Sequence, residues 1–260
     1  MAASGILVDA VNAIKTALTA LGLKPVNVDE WQGAIFVSLD PDAKSLETWL
    51  TDHYSLPREL EKFSLATLKN ARTTIDEVEA NWKVLAENYS ECLHCAVVHP
   101  ELVDLVPVYK TGKTIQEERS DWGVSLSPGA TSLSFKKDEN LPLLPSMDDL
   151  DDYSVFGAYV YPNMLIDISP TVAVFTRYVP RSATHTTVYT YYLFPNEVVN
   201  NPEFDLEPTI SFSDLVNQQD ISVCVRVQRG VASRSFSNAF HTKMERYCKQ
   251  LVRRYRAEIS

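Results

Sequence analysis

The feature that most narrows the fold is a change of rhythm along the second half of the chain. Between residues 102 and 195 the sequence runs in short segments rich in β-branched and aromatic side chains. Residues 121–126, 133–136, 155–160, 164–169, 172–179 and 185–194 read as strands, with Gly129, Pro142, Pro162, Pro170 and Pro180 as punctuation. Beyond Pro208 the pattern turns helical and continues to Tyr255, with Gly230 as its expected break. Strands followed by a long helical stretch imply an α+β fold, an antiparallel sheet with a helix packed across it. Ahead of this region the spacing predicts a helix over 6–21, strands over 25–28 and 34–39 around an Asp-Glu-Trp-Gln-Gly turn, and a helix over 46–53. Residues 70–85, with Trp82, read as a strand entering a core, and the acidic stretch 145–152 as a mobile surface connection.

Charge and cysteine content restrict what such a fold can serve. The chain of 260 residues carries a net charge of −10, which argues against a nucleic-acid-binding surface. Residues 226–260 hold 9 Lys and Arg against 2 Asp and Glu. That basic tail is either a solvated helix face, the commoner case, or a contact for an acidic partner. No apolar run approaches the roughly 20 residues that span a bilayer, and the start of the chain lacks the pattern of a secretory signal. Four cysteines, Cys92, Cys95, Cys224 and Cys248, do not make a disulfide framework in a chain of this length. The expected setting is a reducing, cytoplasmic one.

The unusual composition lies in residues 81–100, NWKVLAENYSECLHCAVVHP, where two of the chain's five histidines stand five positions apart. Five residues turn an ideal helix by about 140° from a shared face, so His94 and His99 converge only if a helix ends or a turn widens between them. Pro100 is placed to end such a helix. Glu91, three residues before His94, can bond an imidazole N–H and fix the ring. Two imidazoles and a distant carboxylate make the facial triad that leaves open positions on Fe(II). Taken alone, two histidines at this spacing are more often a core or surface pair than a metal site.

The wider string changes that balance. NWKxxxENYxECxHCxxxHP resembles the catalytic domain of Rieske-type non-heme iron oxygenases, in particular the subgroup that oxidises quaternary ammonium compounds. Three further blocks resemble the same family in order: LKPVNVDEWQGAIFVSLDP (23–41), YPNMLIDISP (161–170) and NQQDISVCVRVQRGVASRSFS (217–237). The resemblance implies a helix-grip fold, a curved antiparallel sheet around a long C-terminal helix. It makes residues 41–260 the mononuclear-iron domain and residues 1–40 the stretch where a Rieske domain would end. By position, His94, His99 and Asp220 match the iron ligands. Glu91 matches the residue that bridges the iron to a neighbouring cluster, and Asn88 a polar residue near the iron. Asp214 is an alternative carboxylate. Asp220 taken by itself reads equally as a helix cap.

One departure outweighs a smaller one at Val225, where relatives usually carry Glu. The family's [2Fe–2S] cluster needs Cys-x-His and Cys-x-x-His. This sequence has no Cys-x-x-His, and its one Cys-x-His, Cys92-Leu-His94, lies inside the iron segment. The resemblance therefore implies Fe(II) without a [2Fe–2S] cluster in these residues, with electrons from a separate Rieske or reductase protein, O2 and a small organic substrate. Trimers are common in the family, and without the cluster domain the oligomeric state stays open. Redox-neutral metal chemistry and a non-catalytic binding module are the competing readings. A quaternary ammonium group would be met by aromatic faces, and the strand region is rich in them. Tyr89 is the aromatic residue nearest the metal segment in sequence.

Overall fold

A computed structural model describes residues 16, 22, 26–53, 60–113, 123–136, 140–147 and 153–259. The chain clusters into two compact units, residues 1–61 and 62–260. The first contains the hairpin β1 (Asn27–Trp31) and β2 (Ala34–Ser38), paired antiparallel from Asn27 with Ser38 to Trp31 with Ala34. Gln32 and Gly33 both have positive φ, 54° and 83°. That makes the turn the tight two-residue kind whose twist suits a hairpin, two residues rather than the five expected. Helix α1 (Leu46–His53) follows, and Leu50 on it is fully buried. The helix expected over 6–21 lies outside the described residues, Thr16 excepted.

The second unit is built on a six-stranded antiparallel sheet of order β3-β8-β7-β6-β5-β4. Its strands are β3 (Lys69–Val78), β4 (Gly123–Ser125), β5 (Ser154–Val160), β6 (Met164–Ile168), β7 (Ala173–Ser182) and β8 (His185–Phe194). Sequence reading anticipated most of these. Leu133–Lys136 is the exception: it forms bends rather than a strand, and Phe135 packs edge-on against Phe212, with ring centroids 5.3 Å apart. Residues 70–85 divide, β3 ending at Val78 and helix α2 (Trp82–Tyr89) beginning four residues later. Asn81 causes the switch, because its side-chain oxygen accepts the Lys83 N–H and caps the helix. Of the acidic stretch, Met147 is buried rather than on a mobile surface, and 148–152 lie outside the described residues.

The register fixes which side chains share a face. Asp167 pairs with Gly157 and Val174, Val174 with Tyr192, and Tyr192 with Arg72. After the short helix α5 (Asn196–Val199), α6 (Glu207–Val231) runs over this face, 25 residues long with Pro208 in its first turn. Arg72 grips Glu207 at the start of the helix, at 2.6 and 3.3 Å. Tyr192 bonds Asp214, and Asp76 accepts from Gln218 at 2.8 Å. Further along, Cys224 joins Tyr178, Val188, Leu165 and Leu85 in one apolar cluster, which Leu251 of α7 (Arg246–Ile259) completes. The helical region thus breaks just after Gly230, as the sequence implies. No helix among the described residues is long and apolar enough to cross a membrane.

Candidate metal centre

The segment after α2 is irregular in a way that brings its histidines together. Ser90 ends α2 by turning its hydroxyl back onto the Ala86 carbonyl, 2.7 Å away. A tight turn leads to the four-residue helix α3 (Cys95–Val98), and α4 (Pro100–Leu105) follows. His94 precedes the first residue of α3 and His99 follows its last. At His99 the backbone leaves helical geometry, with φ −121° and ψ 64°. Pro100 ends one helix and opens the next, the first helical turn being a place where its missing N–H costs nothing. The two rings end 5.2 Å apart, nearly perpendicular.

The same turn carries Cys92 and Cys95, joined in a disulfide. One local bond is not a framework, and its cause is the turn: three residues bring the two Cα atoms to 5.0 Å, a span such a bond bridges. Cys224 and Cys248 are buried thiols, and burial raises both to about 12.

Asp220 reaches this segment from α6. Its Oδ1 lies 3.0 Å from His99 Nε2 and 3.3 Å from His94 Nε2. One ligand atom from each of the three residues falls within 4.8 Å of the others. The far nitrogen of each ring is also held: His94 Nδ1 lies 2.5 Å from Glu91 Oε1, and His99 Nδ1 lies 2.8 Å from Gln219 Oε1. Acceptors at both Nδ1 positions favour N–H there, so each Nε2, which faces Asp220 Oδ1, is the atom at which a metal would take the place of a proton. Glu91 is itself fixed by the Leu93 N–H, and Asn88 donates to Asp220 Oδ1 at 2.7 Å.

The electrostatics show how tightly these groups depend on one another. Burial would depress His94, but its bonds to Asp220 and Glu91 outweigh that and push it up to about 9. Burial would raise Asp220, but the two histidines draw it down to about 2. Two imidazoles and a carboxylate aimed at one point, both rings oriented from behind, fit a divalent first-row metal in donor type and number.

Of the residues singled out by sequence, Glu91, His94, His99, Asp220 and Asn88 come together. Tyr89 points elsewhere, its hydroxyl donating to Asp167 Oδ1 at 2.7 Å. Asp214, the alternative carboxylate, bonds Tyr192. Val225 packs at the edge of the apolar cluster around Cys224. Sequence reading passed over Gln219, although it directly precedes Asp220 and also donates to Glu101 at 3.0 Å. It also passed over Asp167, since one acidic residue inside a strand-like run carries no spacing signal.

Residues 47–260 match the family model described as the ring hydroxylating alpha subunit, catalytic domain. The chain belongs to this family. The carnitine monooxygenase oxygenase subunit of Acinetobacter pittii is 28% identical over 221 residues, 82% of this chain and 54% of the relative. The glycine betaine monooxygenase oxygenase subunit of Pseudomonas aeruginosa is 27% identical over 255 residues, covering 85% and 58%. The chain thus spans a little over half the length of these curated relatives. Among solved structures, a quaternary ammonium Rieske monooxygenase superimposes with TM-score 0.67 at 22% identity, covering 89% of this chain and 61% of that one. Naphthalene 1,2-dioxygenase from Rhodococcus sp. does so with TM-score 0.52 at 17% identity, covering 82% and 56%. These likenesses place the fold among Rieske oxygenase catalytic domains.

Proposed function

We propose that this chain is the iron-holding catalytic part of an oxygenase acting on a small quaternary ammonium substrate. His94, His99 and Asp220 hold the metal, and a [2Fe–2S] protein outside these residues supplies the electrons. The convergence of both histidine Nε2 atoms on Asp220 Oδ1, at 3.3 and 3.0 Å, carries this reading. Bound there, Fe(II) supplies the centre at which O2 is activated for monooxygenation or N-demethylation. Glu91 and Gln219 keep the two rings turned inward, and Asn88 holds the Asp220 carboxylate in place. Glu91 also provides the hydrogen-bonded path from His94 to an electron donor docked outside. The sheet and α6 together are read as a helix grip, with substrate entering the space between them. The curated relatives named for carnitine and glycine betaine support the substrate class.

Metal analysis of protein reconstituted anaerobically with Fe(II), followed by EPR after nitric oxide, tests this. One iron per chain and a ferrous–nitrosyl signal lost in His94→Ala are expected. Tightly held zinc with no nitrosyl signal would leave a redox-neutral metal enzyme in its place. Wild-type function retained by His94→Ala would point to a binding module.

A further inference from the structure

One covalent feature borders the metal ligands without a part in holding the metal, the Cys92–Cys95 disulfide. Its two residues flank the turn that carries His94 and are buried, at 6% and 4% exposure. Leu93 between them is 43% exposed and Val97 just beyond is 86% exposed, so the turn lies at the surface, within reach of a thiol in solution. Where a compartment is kept reducing, bonds of this kind are mostly transient and serve catalysis or redox sensing.

Of the two sulfurs, Cys95 Sγ is the one beside the site, 3.8 Å from His94 Nε2, the atom that faces Asp220. Nitrogen, oxygen and sulfur donors around a tetrahedral zinc stand roughly 3.3–3.6 Å from one another, given metal–ligand distances of about 2.0–2.3 Å. The His94–Asp220 separation of 3.3 Å lies in that range. The Cys95–His94 separation lies just beyond it, a gap that a freed side chain closes by a small rotation about χ1. Breaking the disulfide does not dissolve the turn. The Cys95 N–H donates to the Cys92 carbonyl at 3.2 Å, the Leu93 N–H to Glu91, and the His99 N–H to the Cys95 carbonyl at 3.0 Å. Reduced Cys95 therefore keeps its place beside His94 and gains a free sulfur.

We propose that Cys95 is a redox-gated fourth ligand of this metal site: tied to Cys92 it leaves three protein donors and an open metal, and set free it closes the site with its sulfur. The assignment rests on the metal-holding reading above and adds to it a ligand and the condition under which that ligand acts. In the first step a dithiol, small or protein-borne, gives two electrons and two protons. The Cys92–Cys95 S–S bond breaks into two thiols, and the donor's own disulfide forms. In the second step the Cys95 thiol releases its proton to solvent as its sulfur bonds the metal. Two imidazoles and a carboxylate alone are the open set suited to Fe(II), whereas the same donors with a thiolate make a closed tetrahedral set of the kind zinc prefers.

Cobalt(II) is the probe, because a thiolate bound to it gives a charge-transfer band in the near ultraviolet that imidazole and carboxylate do not. The full chain is prepared oxidised with diamide, or reduced with a phosphine that is removed before cobalt is added. Alkylation after denaturation, read by mass spectrometry, should find only Cys224 and Cys248 as thiols in the first state and all four cysteines in the second. Both states should bind one cobalt per chain, with the band absent from the oxidised protein and appearing on reduction. Cys92→Ser should show the band without reductant. Cys95→Ser should show it in neither state, which excludes Cys224 and Cys248 as its source. The two states of wild type carry the test by themselves if either variant fails to fold. Cobalt-loaded reduced wild type without the band, the band kept in a folded Cys95→Ser, or a cysteine pair that diamide does not join would each overturn the assignment. Iron content and the nitrosyl signal are read on the oxidised protein in parallel. Neither cobalt nor iron bound in either state would overturn this assignment and the metal-holding reading together, whereas iron and its nitrosyl signal with no cobalt–sulfur band would remove the fourth ligand alone.

Discussion

A carboxylate on α6 and one on the sheet beneath it meet opposite fates. Asp220 is drawn down to about 2, because two imidazoles more than offset its burial. Asp167 is pushed up to about 7, because burial comes first and a single tyrosine hydroxyl is all that counters it. Depth in the protein therefore does not decide what a buried acid can do. The number of donors around it does: the well-supplied carboxylate stays ionised, and the under-supplied one keeps its proton toward neutral pH.

The largest effect expected from breaking this contrast is at the well-supplied end. On the proposed function His99→Ala removes a metal ligand that is 1% exposed and leaves Gln219 Oε1 without its imidazole, so iron per chain should fall close to zero by mass spectrometric metal analysis. The two acids on α6 sharpen the point. Asp220→Asn should lose iron in the same assay. Asp214→Asn should keep it, with stability to urea changing by only about 1 kcal/mol, the worth of the altered Tyr192 bond.

At the under-supplied end the effect follows pH. The native Asp167 carboxyl keeps a proton that the unfolded chain releases near 4. Wild-type stability relative to Asp167→Asn should therefore fall as pH rises from about 4 to about 7 and then level off. The total is on the order of 4 kcal/mol at about 1.4 per pH unit. Urea unfolding of both proteins across that range measures it, and a flat difference would remove the distinction between the two acids. The smallest change expected is in Arg72→Ala. The Arg72–Glu207 pair at the start of α6 is roughly half exposed on both sides, so its loss should cost no more than about 1 kcal/mol and leave iron binding unaltered.

The contrast also explains what could be read in advance. The segment from Asn88 to His99 was legible because most of its geometry is local: Glu91 holds His94 from three residues away, and Pro100 marks the break that lets His99 turn in. The helix beyond Pro208 and most strands followed from hydrophobic rhythm. The choice between Asp214 and Asp220 was not decidable from α6 alone, since contacts with distant residues separate them, Tyr192 for the one and Asn88, His94 and His99 for the other. Leu133–Lys136 has the composition of a strand, but among the described residues it pairs with none, and Phe135 packs on Phe212 of α6 instead. The Cys92–Cys95 bond depends on a turn too tight to infer from spacing.

The four-residue helix between the histidines also works as a ruler. Val97, in its middle, is 86% exposed, so its chemistry is free to drift. Its count is not: one residue inserted there would swing His99 by about 100° relative to His94, more than any side-chain rotation could restore. The letters between the two histidines can be rewritten without moving either ring, but their number cannot be changed.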